Sequence, residues 1–245
     1  SWARTIRTIP PNKPWMRWLW IVSGSLFTVA LLALGVTQLI SVLAHEETTV
    51  MREFPADRVA VIDVHSSTGD ITVVATDQPG ITVTASVSRG ISETRHSEEI
   101  VGSALELRST CNHFISKFCS VGYIIEAPPN VRVIARSDHS DVEITGVQGD
   151  VDVRIDNGSI RTRDLAGTAD LHTDNGSINA SATTTGLVRA TTSNGSVRLV
   201  FDRPPDDVTA RSENGSITIV VPQTDDTYEI DLASDNGGTS GDVRT

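Results

Sequence analysis

The sequence predicts an all-β protein, a β-solenoid of about 18–22 residues per coil, preceded by one N-terminal transmembrane helix. Three observations carry this prediction. Asn-Gly recurs at Asn157-Gly158, Asn175-Gly176, Asn194-Gly195, Asn214-Gly215 and Asn236-Gly237, at intervals of 18, 19, 20 and 22 residues. Each pair follows a stretch of alternating apolar and polar residues, the pattern of a half-buried strand. Finally, 26 uncharged residues, Leu19–Ala44, separate a basic tail from an acidic remainder.

As a helix rising 1.5 Å per residue, residues 19–44 would be roughly 39 Å long, more than a ~30 Å hydrocarbon core requires. The tail, residues 1–18, holds Arg4, Arg7, Lys13 and Arg17 and no acid. Trp15, Arg17, Trp18 and Trp20 fall where an interfacial belt belongs, and Glu46 and Glu47 follow the segment. This asymmetry predicts a single pass through the cell membrane, with the bilayer as partner, the N-terminus cytoplasmic and the β domain outside. A secretory signal peptide is the competing reading, since "VLA" before His45 resembles a cleavage site. Signal h-regions run only ~7–15 residues, which favours the anchor. The chain has no initiator Met and closes on "SGDVRT", which resembles the opening of another repeat, so a longer parent protein is expected.

Four of the 20 basic residues precede His45, so the rest carries 16 bases against 31 acids, a net of −15. Such a field repels phosphodiester backbones, and nucleic acid is not expected as a partner. Aromatic residues make up 4%, and all four Trp lie within the first twenty positions. The core must therefore be built from Val, Ile, Leu, Ala and Thr, a β-rich palette. Lys occurs twice against eighteen Arg, a usage expected of a GC-rich, actinobacterial genome.

Residues 45–58 are polar without strong periodicity and are expected to form a juxtamembrane linker. Residues 59–127 form a divergent N-terminal β region with a Cys loop, within which 89–122 has no evident place. Regular solenoid repeats occupy 128–245, entered through the Pro pair of "YIIEAPPNVRVIARS". Cys111 and Cys119 are the only cysteines. Outside a bacterial membrane they would form a disulfide, because their spacing matches no metal motif and no ligand cluster stands near.

Aligned on Asn, "GDVDVRIDNGSIRT", "GTADLHTDNGSINA", "GLVRATTSNGSVRL" and "DDVTARSENGSITI" share one frame. "SDHSDVEI" fits it one period earlier, with His139 at the Asn place, and "SSTGDITV" is an earlier version still. Repeats of about 20 residues with two short strands each mark a stacked β array. Gly, and less readily Asn, tolerates positive φ, so the dipeptide turns the chain sharply. A hairpin would use it as a type I′ turn, but the near-constant period favours stacked coils. Their Asn side chains would lie about 4.8 Å apart and form an amide ladder. Leu171, Thr173, Ile178 and Ala180 would point inward, into a core too narrow for a ligand.

"HSSTGDITV", "APPNVRVIARSDHSDVEITGVQGDVDVRIDNGSI" and the later "GxxxLxTxNGSI"-type units resemble the bacterial family of adhesin-type repeat proteins labelled DUF4097, over about residues 59–245. The resemblance implies a β-helix-like envelope protein and no enzyme.

Sharper chemistry has little to stand on. Asn-Gly-Ser matches the glycosylation acceptor, but Asn held in a ladder cannot carry glycans. Asp138, Asp156, Asp174, Glu213 and Asp235 precede the corner positions and would repel unless solvated or bridged by a cation. The calcium-binding nonapeptide pattern is absent, so a solvated edge is expected and no metal or cofactor. The six His are scattered in sequence, and no triad, phosphate loop or nucleophile elbow occurs. The expected function is a non-enzymatic envelope binding or scaffold module of adhesin-like type. One alternative is an accessory subunit of a larger respiratory or transport membrane complex, contacted through residues 1–44. A cryptic carbohydrate-active β-helix enzyme is the third.

Overall fold

The structure, a computed structural model, describes residues 14–43, 46–89, 95–111, 119–183, 187–224 and 230–244. The chain divides into two compact units, residues 1–44 and 45–245.

The first unit is a single helix, α1 (Pro14–Leu43). Pro at the first helical position suits a residue whose N–H would have no intrahelical acceptor. Thr28 donates back to the Gly24 carbonyl at 2.9 Å, which spares a hydroxyl in an apolar sequence. Side chains are described for Trp18 and residues 21–36, and all of them are exposed. Among the described residues no helix is long and apolar enough to cross a membrane. The tail before Pro14 and the side chains of Trp15, Arg17 and Trp20 lie outside the described residues.

The second unit is built from strands β1 (Glu46–Pro55), β2 (Val61–Thr68), β3 (Ile71–Ala75), β4 (Gly80–Arg89), β5 (Arg95–Val101), β6 (Ala104–Thr110), β7 (Ser120–Ala127), β8 (Arg132–His139) and β9 (Val142–Thr145). Five regular coils follow: β10 and β11 (Val151–Asn157, Ile160–Arg163), β12 and β13 (Ala169–Asn175, Ile178–Thr183), β14 and β15 (Leu187–Asn194, Val197–Phe201), β16 and β17 (Asp207–Asn214, Ile217–Pro222), β18 and β19 (Ile230–Asn236, Thr239–Arg244). Each coil contributes one strand to each of two sheets. Sheet A runs β1-β4-β7-β3-β9-β11-β13-β15-β17-β19, and sheet B runs β18-β16-β14-β12-β10-β8-β2-β6-β5. From the β6–β7 coil onward the pairings between coils are parallel, and in register except for a shift between Ala180 and Thr183 where β13 pairs with β15. The solenoid expectation holds.

Alternation decides what faces inward. Ile62, Val64, Ile71, Val73, Val133, Ala135, Val153, Leu171, Ala190 and Ala210 are buried from successive coils, with Tyr123 and Phe201 the largest fully buried side chains. Leu171, Thr173, Ile178 and Ala180 are all within this core.

One expectation is corrected. Residues 46–55 are not a linker but the edge strand β1, paired antiparallel with β4 along its whole length, from Glu46↔Arg89 to Pro55↔Gly80. Its ladder bonds satisfy a backbone that would otherwise need water, and Phe54 packs against the core. Within residues 59–127, the divergent β region with the Cys loop, the β2–β3 and β6–β7 coils also join the parallel stack. The β2–β3 coil lies between β6–β7 and β8–β9, so the chain leaves the stack after β3, forms β4 and β5, and returns with β6–β7 on the outer side. The antiparallel strands β1, β4 and β5 then close that end.

Candidate binding surface

The Asn-Gly corners form a continuous column. Asn157, Asn175, Asn194, Asn214 and Asn236 occupy equivalent register positions, with His139 and Thr68 ahead of them. Each carboxamide donates to the Oδ1 of the Asn one coil earlier: Asn175 to Asn157 at 3.2 Å, Asn194 to Asn175 at 3.0 Å, Asn214 to Asn194 at 3.1 Å and Asn236 to Asn214 at 3.0 Å. Asn157 Nδ2 faces His139 Nε2 at 3.4 Å.

Gly158, Gly176, Gly195, Gly215 and Gly237 form a second column beside it. Gly158 has φ +135°, which disfavours other residues. Stacking imposes a further demand: a Cβ at Gly176 would overlap the Gly158 carbonyl oxygen, and one at Gly195 would overlap that of Gly176. Glycine is required because the corners touch, not only because the chain turns.

A third column was missed in the sequence. Two residues before the Asn, inward-pointing hydroxyls donate to glycine carbonyls one coil back: Thr173 to Gly158, Thr192 to Gly176, Ser212 to Gly195 and Ser234 to Gly215, each at 2.9 Å. Ser140, which also meets Ser137, serves Gly69 in the same way at 2.7 Å. The recurring [Ser/Thr]-x-Asn-Gly was the available signal.

The outer face of sheet B carries chemistry in a fourth column, three residues before the corner. Register aligns Arg108, His65, Arg136, Arg154, His172, Thr191, Arg211 and Ala233 across successive coils. Two histidines that are scattered in sequence therefore belong to one row. Acids flank it: Arg108 pairs with Glu106 at 2.9 Å, Arg154 with Asp152 at 3.3 Å and Asp170 at 3.9 Å, Arg211 with Asp231 at 3.0 Å and Arg136 with Asp63 at 4.0 Å, while the rings of His65 and His172 lie 3.3 and 3.1 Å from Asp63 and Asp174. A groove of about 380 Å³ opens over the Arg108–Arg154 part of the row.

Asp138, Asp156, Glu213 and Asp235 are exposed, and Asp174 is half-buried. Among the described residues no group of three His, Cys, Asp or Glu side chains could hold a metal. Thr168 donates from its hydroxyl and its backbone N–H to Asp150 at 2.7 and 3.1 Å, which lowers that carboxyl below its ordinary pKa. Inside the cap, Glu98 is fully buried, with Arg52 Nε 3.4 Å from one oxygen. Burial pushes the nearby Tyr123 phenol up to about 12. Cys111 and Cys119 are joined as a disulfide with Cα atoms 5.7 Å apart. The Cys111 N–H donates to Ser67 Oγ at 2.8 Å, which fixes one end of the loop to β2.

The family profile described as Toastrack DUF4097 matches residues 42–245. No curated protein matches the chain. Among solved structures, a proposed adhesin from Bacteroides fragilis shares 14% identity over 79% of this chain and 97% of its own, with a TM-score of 0.46. A proposed cell adhesion protein from Clostridium sporogenes shares 7% over 81% of this chain and 100% of its own, at 0.37. A proposed adhesin from Parabacteroides merdae shares 12% over 81% and 97%, at 0.31.

Proposed function

The chain belongs to the Toastrack DUF4097 family, and on that premise we propose that it is a non-enzymatic, single-pass membrane protein displaying an acidic β-solenoid outside the cytoplasmic membrane as an adhesin-like binding or scaffold module. The observation that carries the tether is α1. Ile21, Leu26, Phe27, Val29, Leu32 and Leu34 are each at least 58% exposed and encircle the helix. A helix apolar all round is buried in lipid or in protein. The solenoid supplies the display surface, a sheet face of ordered charge.

The test is topology together with envelope binding. An N-terminal tag should be unreachable in intact cells, an epitope in the solenoid should be reachable, and the chain should resist alkaline extraction and sediment with purified cell-wall fragments. A soluble chain, or one with the reverse orientation, would remove the proposal. The same helix would suit an accessory subunit packed among the helices of a larger complex. Purification in mild detergent then brings down stoichiometric integral partners, whereas the free-standing module arrives alone.

A further inference from the structure

We propose that the outer face of sheet B holds an anion site over β2, built by Arg108 and Arg136 on either side of His65 and taking closely spaced phosphate groups. The site deepens the binding-module reading and rests on it only for where the ligand is met.

Several observations place the site at these three coils rather than elsewhere along the row. Arg108 and Arg136 flank His65 on either side, one rung (about 4.8 Å) away in each direction. Arg136 leans across β2 until Nη1 lies 3.5 Å from His65 Nε2, where the guanidinium donates and the imidazole nitrogen accepts, so the ring orients the arginine. The acids beneath them are less accessible than the cations. Glu106 and Asp63 side chains are 22% and 18% exposed, against 46% and 42% for Arg108 and Arg136. Viewed from solvent, the guanidinium groups come first.

The corner-side neighbours change as well. Asp138, Asp156 and Asp174 stand beside Arg136, Arg154 and His172, but Ser67 and Thr110 take that place beside His65 and Arg108, so the hydroxyl side of the groove lies over β2 and β6. A hydroxyl donates to an anion where a carboxylate repels it. Ser67 already accepts from the Cys111 N–H, so its own proton is directed to another acceptor. Along the row Arg108 is held by Glu106 at 2.9 Å, Arg154 by Asp152 at 3.3 Å and Asp170 at 3.9 Å, and His172 by Asp174 at 3.1 Å. Arg136 reaches its nearest carboxylate, Asp63, only at 4.0 Å. Guanidinium forks match tetrahedral oxyanions, whose several oxygens can accept from two Arg and two hydroxyls at once.

Isothermal titration of the purified full chain in neutral detergent, at constant ionic strength, tests the site with sodium tripolyphosphate and with inorganic phosphate. Tripolyphosphate should bind saturably, one per chain, and about tenfold or more tighter than phosphate. Arg136→Gln should weaken it about tenfold or more at an unchanged melting temperature, while Arg211→Gln, in the same row but four coils from Arg136, should leave it unaltered. Non-saturating heats, or equal losses in both variants, would overturn the site. Cell-wall fragments before and after removal of phosphodiester-linked polymers separate a strung envelope phosphate from a free oligophosphate. Unchanged sedimentation of Arg136→Gln with fragments, without tripolyphosphate binding by the parent chain, would retain the module and reject the anion site. Arg136-dependent tripolyphosphate binding without any fragment sedimentation would do the reverse.

Discussion

Thr173 and Asn175 sit two residues apart in the same corner, yet they stabilise it by different means. The Asn amide is exposed, so water replaces whatever bond is lost, and Asn175→Ala should cost only about 1 kcal/mol. Thr173 is fully buried and satisfies the Gly158 carbonyl. Thr173→Val keeps the shape and strands that oxygen, a desolvation cost of about 1–3 kcal/mol. Chemical denaturation should therefore rank the isosteric buried change as the more damaging. The reverse order would mean that the exposed amides, not the interior hydroxyls, hold the corners. The two residues also differ in how visible they are beforehand. Asn-Gly is a strong local code, legible at five positions, whereas an inward Thr in an alternating strand passes for a β-branched core residue until its acceptor is known.

At the scale of elements, the regular coils were legible because each repeats its neighbour, and the cap was not. β1 and β4 pair antiparallel with partners far along the chain, and no local signal in "EETTVMREFP" announces β4 as its partner. "VAVIDV" shows the related difficulty of phase. Apolar residues occur on both alternations, and only burial of Ile62 and Val64 shows which set faces inward. The Cys111–Cys119 link closes the passage from sheet B to sheet A at the coil next to this cap, where no Asn-Gly corner exists. Closing a nine-residue loop stabilises by about 2–3 kcal/mol on the chain-entropy account. Cys111→Ser with Cys119→Ser should lower unfolding free energy by about that amount, and reductant should shift the parent's melting temperature but not the variant's. Identical melting curves would show that the β6–β7 coil holds without the covalent link.

Across the whole molecule, coils touch only their neighbours, so stability is a sum of coils and interfaces, and damage at one end is felt locally first. Tyr123 provides a titration of the capped end. Its folded-state pKa of about 12 stands above the ordinary phenol value of 10.0. Between those values the folded protein keeps a proton that the unfolded chain has released, so stability falls as pH rises through that window and is unaffected below it. In a Tyr228→Phe chain the tyrosinate absorbance should rise near pH 12 together with loss of β structure. A rise near pH 10 with the fold intact would show the phenol to be open to solvent.

The amide column has one property that its individual bonds do not. Every carboxamide points its hydrogens toward the lower-numbered coil and its oxygen toward the higher one. Their dipoles add instead of cancelling, as peptide dipoles do along a helix. The stack is thus electrically polar along its axis, hydrogen-ended beside His139 and oxygen-ended at Asn236. Whatever continues that row must arrive with a donor foremost, so two such rows can be joined head to tail but not oxygen to oxygen.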